Sequence, residues 1–271
     1  MSAIPSRHRR TLGSFGSVGS LLVVVALVAA ACGPSAPALT DPKEILTKAV
    51  EATGDAKSFH LLATLDGEFA ADPLGTGGGK MTLTGTKLEG DVDIANARAK
   101  LTFAVPALLG ITGELIAVDD AAYVKTSITG DLYQKSDTGA GGLPVDPADP
   151  DAAIASLKEF LDKPEIDPKK LDDVDCGSAK CYAVTIELTA DEIAALSGDG
   201  SSTGLDPATV MRMTFSVDKT TLRFASVAVM LDAGEQGSLT VVLTFSAWDA
   251  AVTIEAPPDD QVGEGGGLPF P

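Results

Sequence analysis

Between residues 57 and 69 apolar and polar side chains alternate. Phe59, Leu61, Ala63, Leu65, Gly67 and Phe69 interleave with His60, Thr64, Asp66 and Glu68, and only Leu62 breaks the pattern. A period of two is that of a strand with one face buried. The reading continues through 80–88, 91–105 with a break near Asn96, 108–118, 121–126 and 131–135. Turn residues separate these segments: the glycine-rich 73–79, then Asp119–Asp120, then Gly130. A second block begins near Val174 and includes 181–189, 208–218, 222–232 and 238–247. In it Met211, Met213, Phe215 and Val217 share a face, and so do Leu239, Val241, Leu243 and Phe245. Short strands joined by turns predict hairpins, and therefore an antiparallel sheet.

Three segments switch to the helical period. In 41–56, Asp41 can cap, Pro42 takes the first helical position and Glu44 completes a capping box, while Ile45, Leu46, Ala49, Val50 and Ala52 form the stripe. In 151–161, Ile154, Leu157, Phe160 and Leu161 share a face; 190–196 is a shorter helix, and 167–171 suggests one more helical turn. No strand–helix–strand alternation occurs, and so few helices cannot cover both faces of so large a sheet. The expected class is α+β, a large antiparallel sheet with helices on one face.

One stretch fits neither period. Leu21 to Cys32 reads LLVVVALVAAAC, uncharged and preceded by Arg7, His8, Arg9 and Arg10. It is shorter than the roughly 20 apolar residues that span a bilayer, and it has the layout of an export signal. Ala29, Ala30 and Ala31 before Cys32 resemble a lipobox, which commonly carries Leu or Val where Ala29 stands. Cys32 would then carry the acyl chains, palmitate among them, on a tether beginning Gly33–Pro34–Ser35. The alternative is an ordinary secreted chain cut after Ala31. The expected organisation is a signal at 1–31, lipidated cysteine and tether at 32–40, a domain at 41–256 and a loose acidic tail at 257–271.

Three of the 20 basic residues and none of the 38 acidic ones precede Cys32, so the mature charge is −21 against −18 for the whole chain. Such a surface excludes nucleic acid and gives no electrostatic hold on anionic headgroups. With aromatics at 5%, the interior must be mainly aliphatic. Cys176 and Cys181, spaced CGSAKC, are read as a disulfide in an exported chain, with metal binding and redox chemistry as weaker alternatives. His60 is the only histidine beyond the signal, a pH-sensitive group or simply an outward strand residue. Asp119–Asp120, Asp172–Asp173 and Asp259–Asp260 lack the spacing of a calcium loop and read as solvated turns. Gly75 to Lys80 departs from a phosphate loop at Leu74 and Met81, so a hairpin turn is the better reading. A Ser–His–Asp triad would have to use His60, the lone histidine beyond the signal. No enzymatic activity, metal or cofactor is expected.

Several features together resemble the LppX/LprA/LprF/LprG family of actinobacterial lipoproteins, with its LolA-type fold. They are the lipobox-like end at Cys32; Asp41, Pro42, Ile45, Leu46 and Ala49; Lys57 to His60; the helix at 151–161; and Val174, Asp175, Cys181, Tyr182, Val184 and Ile186. The likeness spans roughly 41–254 and includes no catalytic signature. It implies a half-barrel of antiparallel strands, helices over its concave side, and between them a cavity for acyl chains of a lipid or glycolipid. It also implies a monomer anchored to the extracytoplasmic face of the cell membrane, engaged in lipid transport or envelope assembly with an envelope transporter as partner. A scaffold lipoprotein with a filled core is the alternative. By alternation the inward candidates are Phe59, Leu61, Leu65, Met81, Leu83, Leu101, Phe103, Met211, Met213, Phe215, Val241, Leu243 and Phe245. Met211 and Met213 stand out because flexible thioethers adapt to variable chains. The plain alternative for each is a packed core.

Overall fold

The computed structural model describes residues 38–71, 79–118, 121–136, 150–196 and 206–263. Cys32, the turn at 73–78 and Asp119–Asp120 lie outside the described residues. Leu39–Pro271 forms one compact unit. Its first helix, α1 (Pro42–Gly54), starts as the capping pattern predicts: the Asp41 carboxylate accepts from the Glu44 N–H at 2.7 Å, with Pro42 in the first turn. Ile45, Leu46, Ala49 and Val50 are buried along one stripe.

Seven strands follow: β1 (Ser58–Ala71), β2 (Gly79–Thr82), β3 (Thr86–Asp93), β4 (Arg98–Val105), β5 (Ile111–Val118), β6 (Ala121–Thr126) and β7 (Gln134–Ser136). Then come α2 (Pro150–Asp162), β8 (Lys169–Lys170), β9 (Val174–Cys176), β10 (Ala179–Thr189) and α3 (Ala190–Leu196). The last strands are β11 (Val210–Asp218), β12 (Phe224–Asp232) and β13 (Gly237–Ser246). All thirteen belong to one open sheet in the order β7-β6-β5-β4-β3-β1-β13-β12-β11-β10-β8, with β2 beside β1 and β9 beside β10. The named strands pair antiparallel throughout.

Two meanders run outward from a central seam. The seam joins β1 to β13, with His60 opposite Ser246 and Phe69 opposite Gly237. Gly67 and Gly237 let the two backbones close up here: a Cβ on Gly67 would lie 2.2 Å from the Ser238 carbonyl oxygen, and one on Gly237 2.0 Å from that of Glu68.

Helices gather over one end of one face. α1 packs against β10, β11 and β12, and α3 against β10 and β11. α2 packs on α1 with Lys43 beside Asp162 and Gly54 beside Ile154, an antiparallel pair. The start of α3 is a capping box, in which Thr189 N–H donates to the Glu192 carboxylate at 2.7 Å and Glu192 N–H returns to Thr189 Oγ1. Cys176 and Cys181 form a disulfide across the β9–β10 hairpin, with Cα atoms 5.9 Å apart.

Three expectations need correction. The segment 80–88 is not one strand, because Thr84 and Gly85 (φ 84°) turn the chain between β2 and β3. The break expected near Asn96 in 91–105 is present as the β3–β4 turn, where Asp93 takes both the backbone and side-chain N–H of Asn96 and Ala97 turns at φ 52°. The helical turn expected at 167–171 is instead the short edge strand β8, tied to β10 through Leu171 N–H and the Ala183 carbonyl at 2.8 Å. The tail is not loose over 257–263. Tyr133 N–H donates to the Gln261 carbonyl and Gly263 N–H to that of Tyr133, while Ile254 and Pro257 are buried. The cause is β5, where Leu115, Ile116, Ala117 and Val118 are buried in succession on both faces. Ile116, Val118 and Tyr133 need a cover on the outer face, and Ile254 supplies it.

Candidate functional site

Strand register decides what the inner, helix-bearing face presents. Directly opposed residues point the same way. From β10 across the sheet, Ile186 opposes Met213, Met213 opposes Val229, Val229 opposes Val241 and Val241 opposes Leu65. A parallel row runs Val184, Phe215, Val227, Leu243, Ala63, Leu88 and Phe103. All thirteen inward candidates fall on this one face. Phe59, Leu61 and Leu65 come from β1, Leu101 and Phe103 from β4, Met211, Met213 and Phe215 from β11, and Val241, Leu243 and Phe245 from β13. Met81 opposes Phe69, and Leu83, just past β2, donates its N–H to the Gly67 carbonyl.

They do not share one environment. Under the helices, Phe215 is buried in a cluster with Ile45, Leu46, Val50, Val184, Ile186 and Leu188, and Met211 and Met213 pack against it half-buried. Toward the other edge, Leu101 is buried with Ala99, Leu115, Ala117, Ala122 and Val124, and Phe103 leans on that cluster. Between the two clusters lies an open stretch. Leu61, Ala63, Leu65, Val229, Leu231, Leu239, Val241 and Leu243 are apolar, face inward and keep part of their surface in solvent. Thr86, opposite Leu65, has its Oγ1 buried there without a hydrogen-bond partner.

The alternation in β12 misses Val229 and Leu231, because Val227 to Leu231 is an unbroken apolar run. Only pairing with β11 and β13 turns Val229 inward and Met230 outward.

One end of the stretch is closed by aromatic rings. Trp248 lies 5.3 Å from Phe59 and 5.8 Å from Phe245. Arg223 sits over the indole at 5.4 Å, donates to the Ala52 carbonyl at the end of α1 and pairs with Asp249 at 2.6 Å. The Lys57 N–H and the Arg223 guanidinium hold the Asp249 carboxyl below its ordinary range. The helix end, the β11–β12 turn and the seam are thereby pinned together.

On the outer face, β1 and β3 carry a polar cluster beside Leu62, Ala228, Met230 and Val242. His60 Nδ1 lies 2.8 Å from Asp91 and Nε2 3.5 Å from Glu89, and Lys87 pairs with Glu89. Further out, burial and Glu114 push the Tyr133 hydroxyl up to about 12. Asp172 is exposed, and Asp173 bridges Lys170 and Lys219. No group of three or more potential metal ligands occurs among the described residues. No helix among them is long and apolar enough to cross a membrane.

The open sheet with helices over part of one face has parallels among solved structures. Mycobacterium tuberculosis lipoprotein LppX superposes with a TM-score of 0.50 at 15% identity, over 80% of this chain and 100% of that one. LprF from Mycobacterium bovis gives 0.52 at 17% identity, over 80% and 96%. The fold is that of LppX and LprF. Both belong to the family that the sequence motifs resemble, and at these identities the likeness is one of fold. No protein-family model matches the sequence, and no curated protein matches it either.

Proposed function

We propose that this chain is a membrane-anchored extracytoplasmic lipoprotein that holds the acyl chains of a lipid or glycolipid against the open stretch of its inner face, for lipid transport or envelope assembly. The carrying observation is the contrast along one face. Apolar side chains that a solid core would bury are left half-exposed over β1, β12 and β13, while the same face is tightly packed at both sides. Removing apolar surface from water is worth about 25 cal/mol per Å², so an acyl chain laid along this floor binds favourably without a charged contact. Acylated Cys32 is the anchor in this reading, on a tether running to residue 40, and the chain acts as a monomeric carrier with no catalytic step.

The test uses the chain from residue 33 onward, purified from a bacterial periplasm and extracted with organic solvent for mass spectrometry. Stoichiometric diacyl lipid, lost in Leu243→Arg, supports the carrier. A stable, lipid-free protein that also refuses added lipid points to a scaffold lipoprotein of the same fold.

A further inference from the structure

Leu109 is fully exposed, and it sits in the left-handed backbone region at φ 56°. A leucine there is strained, and its apolar side chain gains nothing from the fold. Leu108, beside it in the β4–β5 turn, is also exposed, and so is Ile128 in the loop after β6. The two loops are joined: Ser127 N–H donates to the Thr112 carbonyl at 2.8 Å and Thr112 N–H to Ser127 Oγ at 3.2 Å.

Neither loop is slack. Gly110 N–H closes on the Pro106 carbonyl, and the N–H groups of Ile128 and Thr129 both donate to the buried Thr126 hydroxyl. Three apolar side chains are therefore held outward by backbone that is itself fixed.

Charge and position narrow what they meet. Residues 106–110 and 127–132 carry one charge between them, Asp131, in a chain of net charge −18. The turn continues the inner face, since Phe103, Val105 and Ile111 lead from the apolar floor to Leu108. Gly113 leaves room for the Phe103 ring on that path; a Cβ there would lie 2.3 Å from Phe103 Cζ. The start of the domain is elsewhere. Leu39 N–H donates to the Tyr182 hydroxyl on β10, seven strand positions from β5, or about 34 Å measured along the sheet at about 4.8 Å per step.

We propose that Leu108, Leu109 and Ile128 form an apolar wedge that inserts into a lipid layer, at a point separate from the N-terminal tether and continuous with the inner apolar face. The passage of acyl chains along that path rests on the carrier reading above; the insertion itself does not. An uncharged wedge on an acidic protein binds zwitterionic surfaces and is little affected by salt.

The experiment is co-sedimentation of the chain from residue 33 with phosphatidylcholine vesicles. The expected result is partitioning that persists in high salt, falls about tenfold in Leu109→Ser and is abolished in the triple serine variant. Because the three side chains are exposed, all variants should melt with the parent. Equal partitioning of parent and triple variant overturns the wedge, and so does a parent that ignores vesicles. If the same three residues instead hold a dimer in sedimentation velocity, the surface meets a second copy and the proposal fails. Vesicle binding by a chain that carries no lipid supports the wedge while removing the carrier reading; bound lipid without vesicle binding does the reverse.

Discussion

Ile186 and Leu243 point the same way from the same sheet, yet Ile186 is wholly buried and Leu243 is not. The two side chains are isomers, so their chemistry does not make the difference. The cover does. α1 and α3 lie over β10, and the α1 stripe of Ile45, Leu46, Ala49 and Val50, with Ile193 and Leu196 of α3, packs in the cluster that buries Ile186. Over β13 and β1 the described helices do not reach, and the same kind of surface stays partly wet. An aliphatic strand face thus becomes core or binding floor according to which element crosses it.

The comparison is broken most sharply by truncation on both sides. Ile186→Ala should cost about 3 kcal/mol, because transfer energy and cavity are lost together under a cover that cannot collapse. Leu46→Ala should cost as much from the helix side. Urea unfolding of each variant reads this directly, and a loss below about 1 kcal/mol would mean that the helices are not packed down as described. Next comes the edge on which the covered end rests. Reducing the Cys176–Cys181 bridge, or replacing both cysteines by serine, should cost about 2 kcal/mol by chain entropy for so short a loop. Thermal melts with and without reductant measure it, and identical melting would show that the hairpin needs no cross-link. On the open stretch, Leu243→Ser should cost less than Ile186→Ala, since part of the side chain is already in water. It should nevertheless reduce lipid retained through purification. A large stability loss with unchanged lipid would make Leu243 core and erase the distinction between the two regions.

How much of this was legible in the sequence depended on the range of the interactions. Helix starts are local, and Asp41, Pro42 and Glu44 mark α1 because one side chain caps one turn. The inward face was legible wherever polar residues alternate with apolar ones, as in β1, β11 and β13. It was illegible in β12, where five consecutive apolar residues carry no phase, and only pairing with neighbours assigns Val229 inward. The seam between β1 and β13 joins residues some 180 positions apart, and no local pattern specifies it. The docking of Ile254 follows from burial on both faces of β5, which reads as an apolar run of undetermined orientation. What lies under the helices and what lies in the open is a tertiary fact, so the packed Phe215 and the open Leu243 look alike in one dimension.

The smallest effect lies behind the open stretch and bears on its rigidity. His60 projects from β1 to the outer face, where Asp91 and Glu89 of β3 flank it and Lys87 partners Glu89. The hydrogen bond to Asp91 leads the causes that raise its pKa above 6.5, partial burial opposes it, and Glu89 adds to the rise. A raised folded value means that the imidazolium is bound more tightly in the native state than in the unfolded chain. The stabilisation is therefore complete below about pH 6.5 and fades as pH climbs through the folded value. On the acid side the carboxylates set the limit. Lys87 first, then His60, hold the Glu89 pKa below 4.5, so its share is lost as pH falls through that lowered value. Because His60 is one-third exposed, its pairing is worth less than about 1 kcal/mol. His60→Gln should lower the melting temperature slightly at pH 5.5 and leave it unchanged at pH 8.5. An equal shift at both values would mean that His60 contributes by packing alone, and the β1–β3 pairing beneath the open floor would then be insensitive to pH.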